Sequence, residues 1–335
     1  MIAPPPRLRA ARPTRLRGLR RDMARLLVVN RTARTVSHLG FRDIGTVLRP
    51  GDLLVVNSSR VVPSAIPARR AEGEVVQLRP WVRRTGRWDA LAVQANPPHA
   101  NVTLRNGETL AAEGGLRARV LGRREDAPLL WRLAVDGDAL DALLRHADPV
   151  RYSYVPEPVP LEHYQTVYAA HPGSAEAPSA GLAFTWELLH GLRGAGVGLT
   201  DIVLHTGLSS FQDDDVDAQH LLVEEWFSVG ENTVAAVAGA DRVIAVGTTV
   251  VRALESAALG RGGLGPMSGW TNLAIGPNSR IRVADALLTG LHEPMASHLE
   301  LVRAFLDDGL LERAQREAVE REYLWHEFGD LMLIL

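Results

Sequence analysis

Residues 242–255 have the pattern of a strand, a glycine turn and a helix. Gly247 permits a tight turn, and Thr248 or Thr249 can cap the helix that follows. The free N–H groups at the start of such a helix bind anions such as a phosphate or a carboxylate at the carboxyl edge of a sheet. The pattern fits an ordinary capped helix equally well, with Arg252 paired to the glutamate three residues further on.

A second group surrounds His205, which stands at the end of a predicted strand beside Gly207. Ligands of α/β sheets bind at such strand ends. Upstream, the small residues around Gly181 allow a close approach of the backbone, and Thr185 can cap the helix that follows. A single histidine is more often structural than catalytic, so the sequence leaves both roles of His205 open.

Residues 283–298 carry four titratable side chains in and beyond a predicted strand end: Asp285, His292, Glu293 and His298. Such a cluster is a candidate for proton transfer or for metal binding. Metal binding is the weaker interpretation, because the segment has no His-Glu-x-x-His spacing. Asp285 fits the role of a cap equally well.

The elements that must position these residues fall into three sections. From residue 25 to about 62, short apolar runs between turns predict buried strands. From about 63 to 149, five short strands predict a small antiparallel sheet or barrel that ends in a helix at 139–146. From 151 onward, strands and helices alternate, which implies a largely parallel α/β layer. The predicted division is a basic arm (1–22), a large α/β domain (23–62 and 150–335) and an inserted β-barrel domain (63–149).

Local patterns set the expected bounds of the individual elements. The strands predicted in the β domain are 74–83, 87–95, 101–105, 116–121 and 129–135. The strands predicted after it are 201–205, 224–229, 242–246, 270–275 and 280–284. The helices predicted there are 185–195, 231–238, 249–259, 296–306 and 311–323.

Composition narrows the chemistry further. The chain has 335 residues, 46% of them apolar and 23% charged, which is typical of a globular protein of about two domains. It has no cysteine and no lysine, so all 37 Lys-or-Arg positions are arginines. Disulfides, thiolate nucleophiles, cysteine-ligated zinc, iron–sulfur clusters and lysine Schiff bases are therefore excluded. No apolar run approaches the roughly 20 residues of a membrane span, and no signal peptide is recognised, so we expect a cytoplasmic protein.

Charge is nearly balanced over the whole chain but uneven along it. The formal charge is −2 at pH 7, which by itself indicates neither a nucleic acid nor a membrane partner. The first 21 residues, however, hold seven arginines and no acid before Asp22. Such an arm could contact phosphates or imitate a transit peptide, or it could be an unstructured extension.

A set of motifs links the chain to a known family. The motifs are residues 49–61 (RPGDLLVVNSSRV), 164–169 (YQTVYA), 178–185, 204–211, 247–256 (GTTVVRALES), 269–271 (GWT) and 283–294. In this order they resemble the S-adenosylmethionine:tRNA ribosyltransferase-isomerase family of the queuosine pathway, over a stretch from about residue 21 to the C-terminus. Each motif alone is weak, whereas several in the right order are specific.

The resemblance implies a barrel-like large α/β domain with an inserted small antiparallel β-barrel domain. It implies that S-adenosylmethionine is a substrate that donates its ribosyl group, with no separate cofactor and no metal. The expected acceptor is 7-aminomethyl-7-deazaguanine in the anticodon stem-loop of a tRNA. Epoxyqueuosine forms, and adenine and methionine leave.

Such a reaction needs a base near the C–H group beside the sulfonium, an acid for the departing adenine and groups that hold the methionine carboxylate. On the resemblance, we expect proton transfer by His205, Asp285 and His292. We expect substrate binding by Asn57, Arg60, Gly181, Thr185, Gly207, Gly247, Thr248, Thr249, Arg252 and Trp270.

The sequence departs from the family pattern at four polar positions. Ser58 stands where the family usually has Asp, Ala183 and Val223 stand where it has His, and Met295 stands where it has Lys. Beside the family activity, these replacements leave two alternatives open: transfer to a different, non-tRNA acceptor, or binding without catalysis. If tRNA binds, we expect the arginines of residues 79–87 or the basic arm to contribute.

Overall fold

The computed structural model describes residues 2–96, 99–152, 154–208, 223–260, 262–292 and 297–335. Four parts of the sequence predictions lie outside these residues: the end of the 204–211 motif from Ser209 on, the end of the 283–294 motif with Glu293, the replaced position Met295, and the first residue of the helix predicted at 296–306.

Seventeen strands and six α-helices are found in the part of the chain that the structure describes. The strands are β1 (Arg25–Asn30), β2 (Thr35–Gly40), β3 (Asp52–Asn57), β4 (Ser59–Val61), β5 (Ile66–Arg69), β6 (Val75–Arg84), β7 (Arg87–Gln94), β8 (Thr109–Ala112), β9 (Arg117–Arg123), β10 (Trp131–Asp136), β11 (His171–Ser174), β12 (Gly198–Leu204), β13 (Glu225–Val229), β14 (Arg242–Val246), β15 (Met267–Thr271), β16 (Ala286–Gly290) and β17 (Leu331–Ile334). The helices are α1 (Ala139–His146), α2 (Trp186–Gly194), α3 (Glu231–Ala238), α4 (Thr248–Ala258), α5 (Ser297–Val302) and α6 (Asp308–Glu320).

A nine-stranded sheet is the framework of the α/β part, in the order β15-β13-β12-β3-β14-β16-β17-β1-β2. Its centre is parallel, because β12, β3, β14 and β16 all run in one direction. β17 runs antiparallel to β16, and β1 is parallel to β17. The ends of the four central strands and the beginnings of β17 and β1 therefore share one edge, which we call the carboxyl edge. The sheet is thus mixed, with the predicted parallel layer at its centre.

The central strands are buried because both faces of the sheet are covered. Every residue of β3 and of β16 is buried, as expected for parallel strands with apolar layers on both sides. Alternate residues of β3 enter different clusters: Val55 packs with α4, whereas Leu54 and Val56 pack with Phe184. This alternation fixes the register of β3 and with it the point where the strand ends.

The inserted part is a closed antiparallel barrel with the strand order β10-β7-β6-β5-β8-β9. Trp88, Leu78 and Leu110 fill its interior. The α/β class and the small antiparallel barrel expected from the sequence are confirmed. The strand predicted at 101–105 is wrong: only Asn101 makes an isolated bridge there, and the strand begins after the Gly107 turn, at Thr109. The proposed domain boundaries, 63–149, enclose all six barrel strands and stay a prediction.

The strand predicted at 280–284 is also wrong, and a side chain explains why. The buried Glu255 carboxylate accepts hydrogen bonds from the backbone N–H groups of Arg282 and Val283, at 2.9 Å each. Because these groups are already bonded to a helix side chain, they do not join a strand ladder. The strand begins later, at Ala286.

The basic N-terminal arm packs against the end of the chain. Leu8 and Ala10 are buried, the Ala10 N–H donates to the Trp325 carbonyl at 3.0 Å, and the Trp325 N–H donates to the Leu8 carbonyl at 2.8 Å. Short 3₁₀ turns at Pro6–Leu8 and Thr14–Arg17 carry the chain across the surface. The interpretation of the arm as an unstructured extension is therefore wrong for residues 2–22.

Candidate functional site

The buried side chain of Asn57 joins two strand ends at the carboxyl edge. Its Nδ2 group donates to the Leu204 carbonyl at 2.9 Å, and its Oδ1 accepts from the Leu204 N–H at 3.0 Å. The same Oδ1 accepts from the Ser59 N–H at 3.0 Å, and Nδ2 lies 3.4 Å from Thr249 Oγ1. Asn57 therefore fixes the loops that follow β3 and β12, and it also reaches the start of α4.

His205 is held by hydroxyl groups and by an aromatic ring. Its Nδ1 lies 2.8 Å from Ser59 Oγ, which in turn lies 2.6 Å from Ser174 Oγ. The imidazole stacks on Trp226 with 5.2 Å between the ring centres. Burial, and then the nearby Arg83, lower the pKa of His205 to about 4. The ring is therefore neutral at physiological pH and can accept a proton.

The turn into α4 forms a second part of this edge. Gly247 has φ +100° and ψ 153°, a conformation that favours glycine, and it is the residue that precedes the helix. The expected threonine cap is wrong, because no side chain of the described residues caps this helix. Thr248 is itself buried in the first turn. The first N–H groups of α4 thus remain available at the carboxyl edge, as anion binding requires.

The loop before α2 lies over this turn. A Cβ atom placed on Gly247 would lie 3.6 Å from the Ala180 Cβ. Only glycine fits at position 181, where the backbone approaches Tyr168 closely, since a Cβ there would overlap the Tyr168 hydroxyl. Thr185 caps α2 as predicted, and its Oγ1 accepts from the Leu188 N–H at 3.2 Å. Thr185 therefore orders the helix that carries the loop.

Gly207 and Arg252 meet through Glu225, a residue that the sequence analysis did not select. The Gly207 N–H donates to Glu225 Oε1 at 2.8 Å, and Arg252 Nη1 forms an ion pair with Oε2 of the same carboxylate. Arg252 Nε also donates to the Leu273 carbonyl at 3.3 Å. Its guanidinium is occupied by these contacts, which favours a positioning role over direct anion binding. Gly207 also packs against Trp81 of the barrel, where any Cβ would overlap the indole ring.

His292 lies at the same carboxyl edge, directly after β16. Its Nε2 is 3.0 Å from Thr289 Oγ1, and its ring stacks on His298 with 4.9 Å between centres. Burial, and then the neighbouring His298 and His326, lower the pKa of His292 well below its usual range. His292 is thus a second neutral imidazole at this edge.

The structure does not bring Asp285 to the site. Asp285 precedes β16, so the length of that strand separates it from His292. Its Oδ2 accepts from the Val243 N–H at 2.8 Å, and its own N–H donates to the Val243 carbonyl at 2.9 Å. The expectation that Asp285 transfers protons is corrected: it joins the beginnings of β14 and β16 at the opposite edge.

Two further predicted residues lie toward the surface. Arg60 is exposed on β4, which pairs with β11. Trp270 is 36% exposed, but the guanidinium of Arg84 lies 4.0 Å above its ring, and Arg84 also pairs with Glu224 at 3.2 Å. One face of Trp270 is therefore covered, and stacking of a base would be confined to the other.

The arginines of residues 79–87 do not form the expected exposed face. Arg79 is 2% exposed, and burial lowers its pKa to about 10. Arg83 donates to the Gly173 carbonyl on β11 and, after burial, is the second cause of the lowered pKa of His205. Arg87 is exposed. The sequence could not distinguish these orientations, because β6 is buried on both sides in its middle, at residues 78–80, and only partly buried at its end.

The replaced family positions fit their surroundings. Ser58 Oγ donates to Asp201 Oδ2 at 2.5 Å, so an aspartate at this position would face a second carboxylate. Val223 is buried in an apolar cluster with Val82 and Leu91. Ala183 is buried near Phe184. These contacts show how the chain accommodates Ser58, Ala183 and Val223.

Neither a metal centre nor a membrane span is found in the ranges given above. Among the described residues, no group of three or more His, Asp or Glu side chains could hold a metal ion. Within those residues, no helix combines the length and the apolar character that crossing a bilayer would take.

Comparisons with known proteins agree over nearly the whole chain. The family model for "Queuosine biosynthesis protein" matches residues 3–334. A protein of Thermus thermophilus named S-adenosylmethionine:tRNA ribosyltransferase-isomerase is 42% identical over 328 residues, which cover 94% of this chain and 93% of that relative. A protein of the same name from Rubrobacter xylanophilus is 39% identical over 319 residues, with 94% and 91% covered.

A solved structure is similar over the same length. The crystal structure of S-adenosylmethionine tRNA ribosyltransferase from Thermotoga maritima has 32% sequence identity to this chain and a TM-score of 0.56. The match covers 100% of this chain and 99% of that one. The arrangement of sheet and barrel is therefore shared with that enzyme.

Proposed function

The chain belongs to the queuosine biosynthesis protein family, and we propose that it performs the reaction for which its relatives are named. It transfers and isomerises the ribosyl moiety of S-adenosylmethionine onto 7-aminomethyl-7-deazaguanine in tRNA. The product is epoxyqueuosine, and adenine and methionine are released. S-adenosylmethionine is a substrate in this reaction, and tRNA is the other.

The observation that carries this proposal is the family match over residues 3–334. These relatives share one name, and each match covers more than 90% of both chains. This agreement does not favour the two alternatives, a non-tRNA acceptor or binding without catalysis. The replacements at Ser58 and Val223 fit the fold, since Ser58 donates to Asp201 and Val223 packs in an apolar cluster.

The carboxyl edge suits a sulfonium donor. His205 and His292 are both kept neutral by burial, so neither repels the sulfonium cation. A neutral imidazole can take a proton from the carbon beside the sulfur, or return one to the departing adenine. We assign proton transfer to these two histidines, with Ser59 orienting His205.

Binding of the donor is assigned to the groups around the α4 turn. The uncapped N–H groups at Thr248 and Thr249 would hold the methionine carboxylate, since a helix start favours an anion. Gly181 and Gly247 allow the backbone to approach the donor closely. Asn57, Thr185, Gly207 and Arg252 position these elements, and the exposed Arg60 and Trp270 would contact the acceptor.

The test is adenine release by the purified chain. The protein is incubated with S-adenosylmethionine and either tRNA carrying 7-aminomethyl-7-deazaguanine or the same tRNA carrying guanine. Release that depends on the deazaguanine supports the proposal. Absence of release with every tRNA, from a folded protein that binds S-adenosylmethionine, contradicts it.

A further inference from the structure

A cleft of about 430 Å³, including its open mouth, lies at the carboxyl edge beside the beginnings of β17 and β1. The basic arm forms one wall through Arg15 and Arg21. The loop that ends at Ala183 forms the second wall, and Glu327 and Phe328 form the third. The α4 turn lies outside this cleft, so the cleft is separate from the donor groups assigned above.

Glu327 places a carboxyl group in the wall of this cleft. The Tyr154 hydroxyl donates to its Oε2, and Tyr154 is itself stacked between Tyr152 and His326, at 5.6 and 4.5 Å between ring centres. Burial raises the pKa of Glu327 to about 7. No ion pair with an arginine or histidine of the described residues offsets that burial. A cationic ligand would therefore stabilise the charged form of Glu327.

The mouth of the cleft has the opposite charge. Arg15 is exposed, and Arg21 donates to the carbonyl groups of Gln165 and Glu162. Neither guanidinium is ion-paired with a carboxylate of the described residues. Burial, and then the nearby Arg15, lower the pKa of Arg21. Unpaired arginines at a groove mouth are typical phosphate contacts.

One loop separates the cleft from the donor groups. Ala180 approaches Gly247 on one side, whereas Leu182 and Ala183 line the cleft on the other. In the sheet, β16 alone stands between β14 and β17. Two strand spacings amount to about 10 Å. A flat base in the cleft could therefore extend a short side chain toward a sugar bound above β14.

We propose, on the basis of the function assigned above, that this cleft receives the acceptor base of the tRNA. The base leaves the anticodon stack and lies between Leu182 and Phe328. Its aminomethyl group, an ammonium in water, pairs with the Glu327 carboxylate beside Tyr154. Glu327 takes one proton from the ammonium, and the neutral amine then has the lone pair that bonds to the ribosyl group. Arg15 and Arg21 contact the flanking phosphates. Glu327 is thus the residue that distinguishes the aminomethyl base from guanine.

The first test measures discrimination between two tRNAs by Glu327→Gln. Binding of tRNA carrying 7-aminomethyl-7-deazaguanine is compared with binding of the same tRNA carrying guanine, for the wild-type protein and the variant. A charge-assisted hydrogen bond is worth about 1.5–3 kcal/mol, so we expect the ratio of affinities to fall about 10-fold or more in the variant. Affinity for S-adenosylmethionine, measured by calorimetry, is expected to stay unchanged. Glu157→Gln is the matched control, because Glu157 is an exposed partner of Arg12 outside the cleft.

The second test uses the arm. Arg15→Gln is expected to weaken binding of both tRNAs equally, about 3- to 10-fold, and to reduce the slope of log affinity against log salt by about 0.9 or less. Arg12→Gln removes the same charge from the arm at a residue outside the cleft, where Arg12 pairs with Glu157 at 2.8 Å, and is expected to change neither.

The outcomes separate this assignment from the function on which it rests. If wild-type protein is active but Glu327→Gln keeps its discrimination, the cleft assignment is wrong. If the variant instead loses affinity for S-adenosylmethionine, the cleft is part of the donor site and the assignment is also wrong. If wild-type protein releases no adenine with any tRNA, the function and the assignment both fail.

Discussion

The Ser59 hydroxyl and the His205 imidazole, which follow adjacent parallel strands, lie 2.8 Å apart at Oγ and Nδ1. Asn57 fixes both loops through the same amide, so the pair is set by the ends of β3 and β12.

Replacement of His205 by alanine is expected to slow adenine release by about 10²- to 10⁴-fold, the usual loss when a proton-transfer group is removed. Because burial lowers the pKa of His205 to about 4, its neutral form is present throughout the physiological range. Loss of activity through its protonation is therefore expected only as the pH falls toward 4. Single-turnover adenine release measures both effects. His190→Ala, at an exposed position on α2, is the control and should retain full activity.

Gly181→Ala is expected to destabilise the protein and to lower activity, because the new Cβ would overlap the Tyr168 hydroxyl in the loop over the α4 turn. Overpacking of this kind costs about 1–3 kcal/mol. Gly191→Ala is the control: no atom lies within 4 Å of a Cβ there, and a helical alanine should be neutral or stabilising. Urea unfolding measures both variants. Equal stability of the two would contradict the packing that we describe for the loop.

Arg252→Gln is expected to affect stability more than donor affinity. The guanidinium pairs with Glu225 while both side chains are largely buried, at 15% and 12% exposure, and loss of one partner leaves a buried charge. Such a loss costs about 3 kcal/mol. Arg316→Gln, which breaks an exposed pair with Glu312 on α6, should cost less than about 0.5 kcal/mol. Calorimetry would contradict this role if Arg252→Gln abolished S-adenosylmethionine binding without lowering the melting temperature.

Glu327 is expected to make stability depend on pH. Its pKa of about 7 in the folded protein lies above the ordinary value of 4.5, so the folded state keeps a proton that the unfolded chain loses between these values. The contribution of Glu327 to the free energy of unfolding is fully present below pH 4.5 and is lost as the pH rises through 7. Tyr154 bonds to Glu327, Glu327 acts electrostatically on Tyr152, and His326 stacks on Tyr154. Arg15, Arg21 and His163 line the same cleft.

Thermal unfolding of Glu327→Gln against wild type isolates this effect, since all other titrating groups are common to both proteins. As the pH rises from 4.5 to 7, we expect the melting temperature of the variant to increase relative to that of the wild type. Above pH 7, the difference between the two melting temperatures is expected to stay constant. The free-energy difference should reach about 3 kcal/mol at most. A constant difference across this pH range would show that Glu327 is solvated.

The fold was predictable where the local pattern is strong. The helix predicted at 231–238 and the strand predicted at 242–246 coincide with α3 and β14, because an apolar strand and a helix are separated by a clear turn there. The strand expected at 280–284 failed because Glu255, on another element, takes its N–H groups. Such a contact between residues far apart in the sequence leaves no local signal.

Some residues of the candidate site could be placed from the sequence, and others could not. His205 and His292 follow central parallel strands, so strand ends alone place them at one edge. Asp285 precedes β16. The strand predicted from the sequence, 280–284, lies further toward the N-terminus, so Asp285 was expected at a strand end. Glu327 was missed because it precedes β17, and only the reversed direction of β17 brings the beginning of that strand to the carboxyl edge.

The packed arm has a consequence for any truncated form of the protein. The next methionine after Met1 is Met23, and a shorter polypeptide initiated there would lack Arg15, Arg21 and the Leu8 contact with Trp325. One wall of the cleft around Glu327 would then be missing, and water would reach its carboxyl group. Its pKa would therefore fall back toward the ordinary value of a glutamate. Such a truncated chain would keep every strand of the sheet and of the barrel but would lose one wall of the cleft that we propose for the acceptor base.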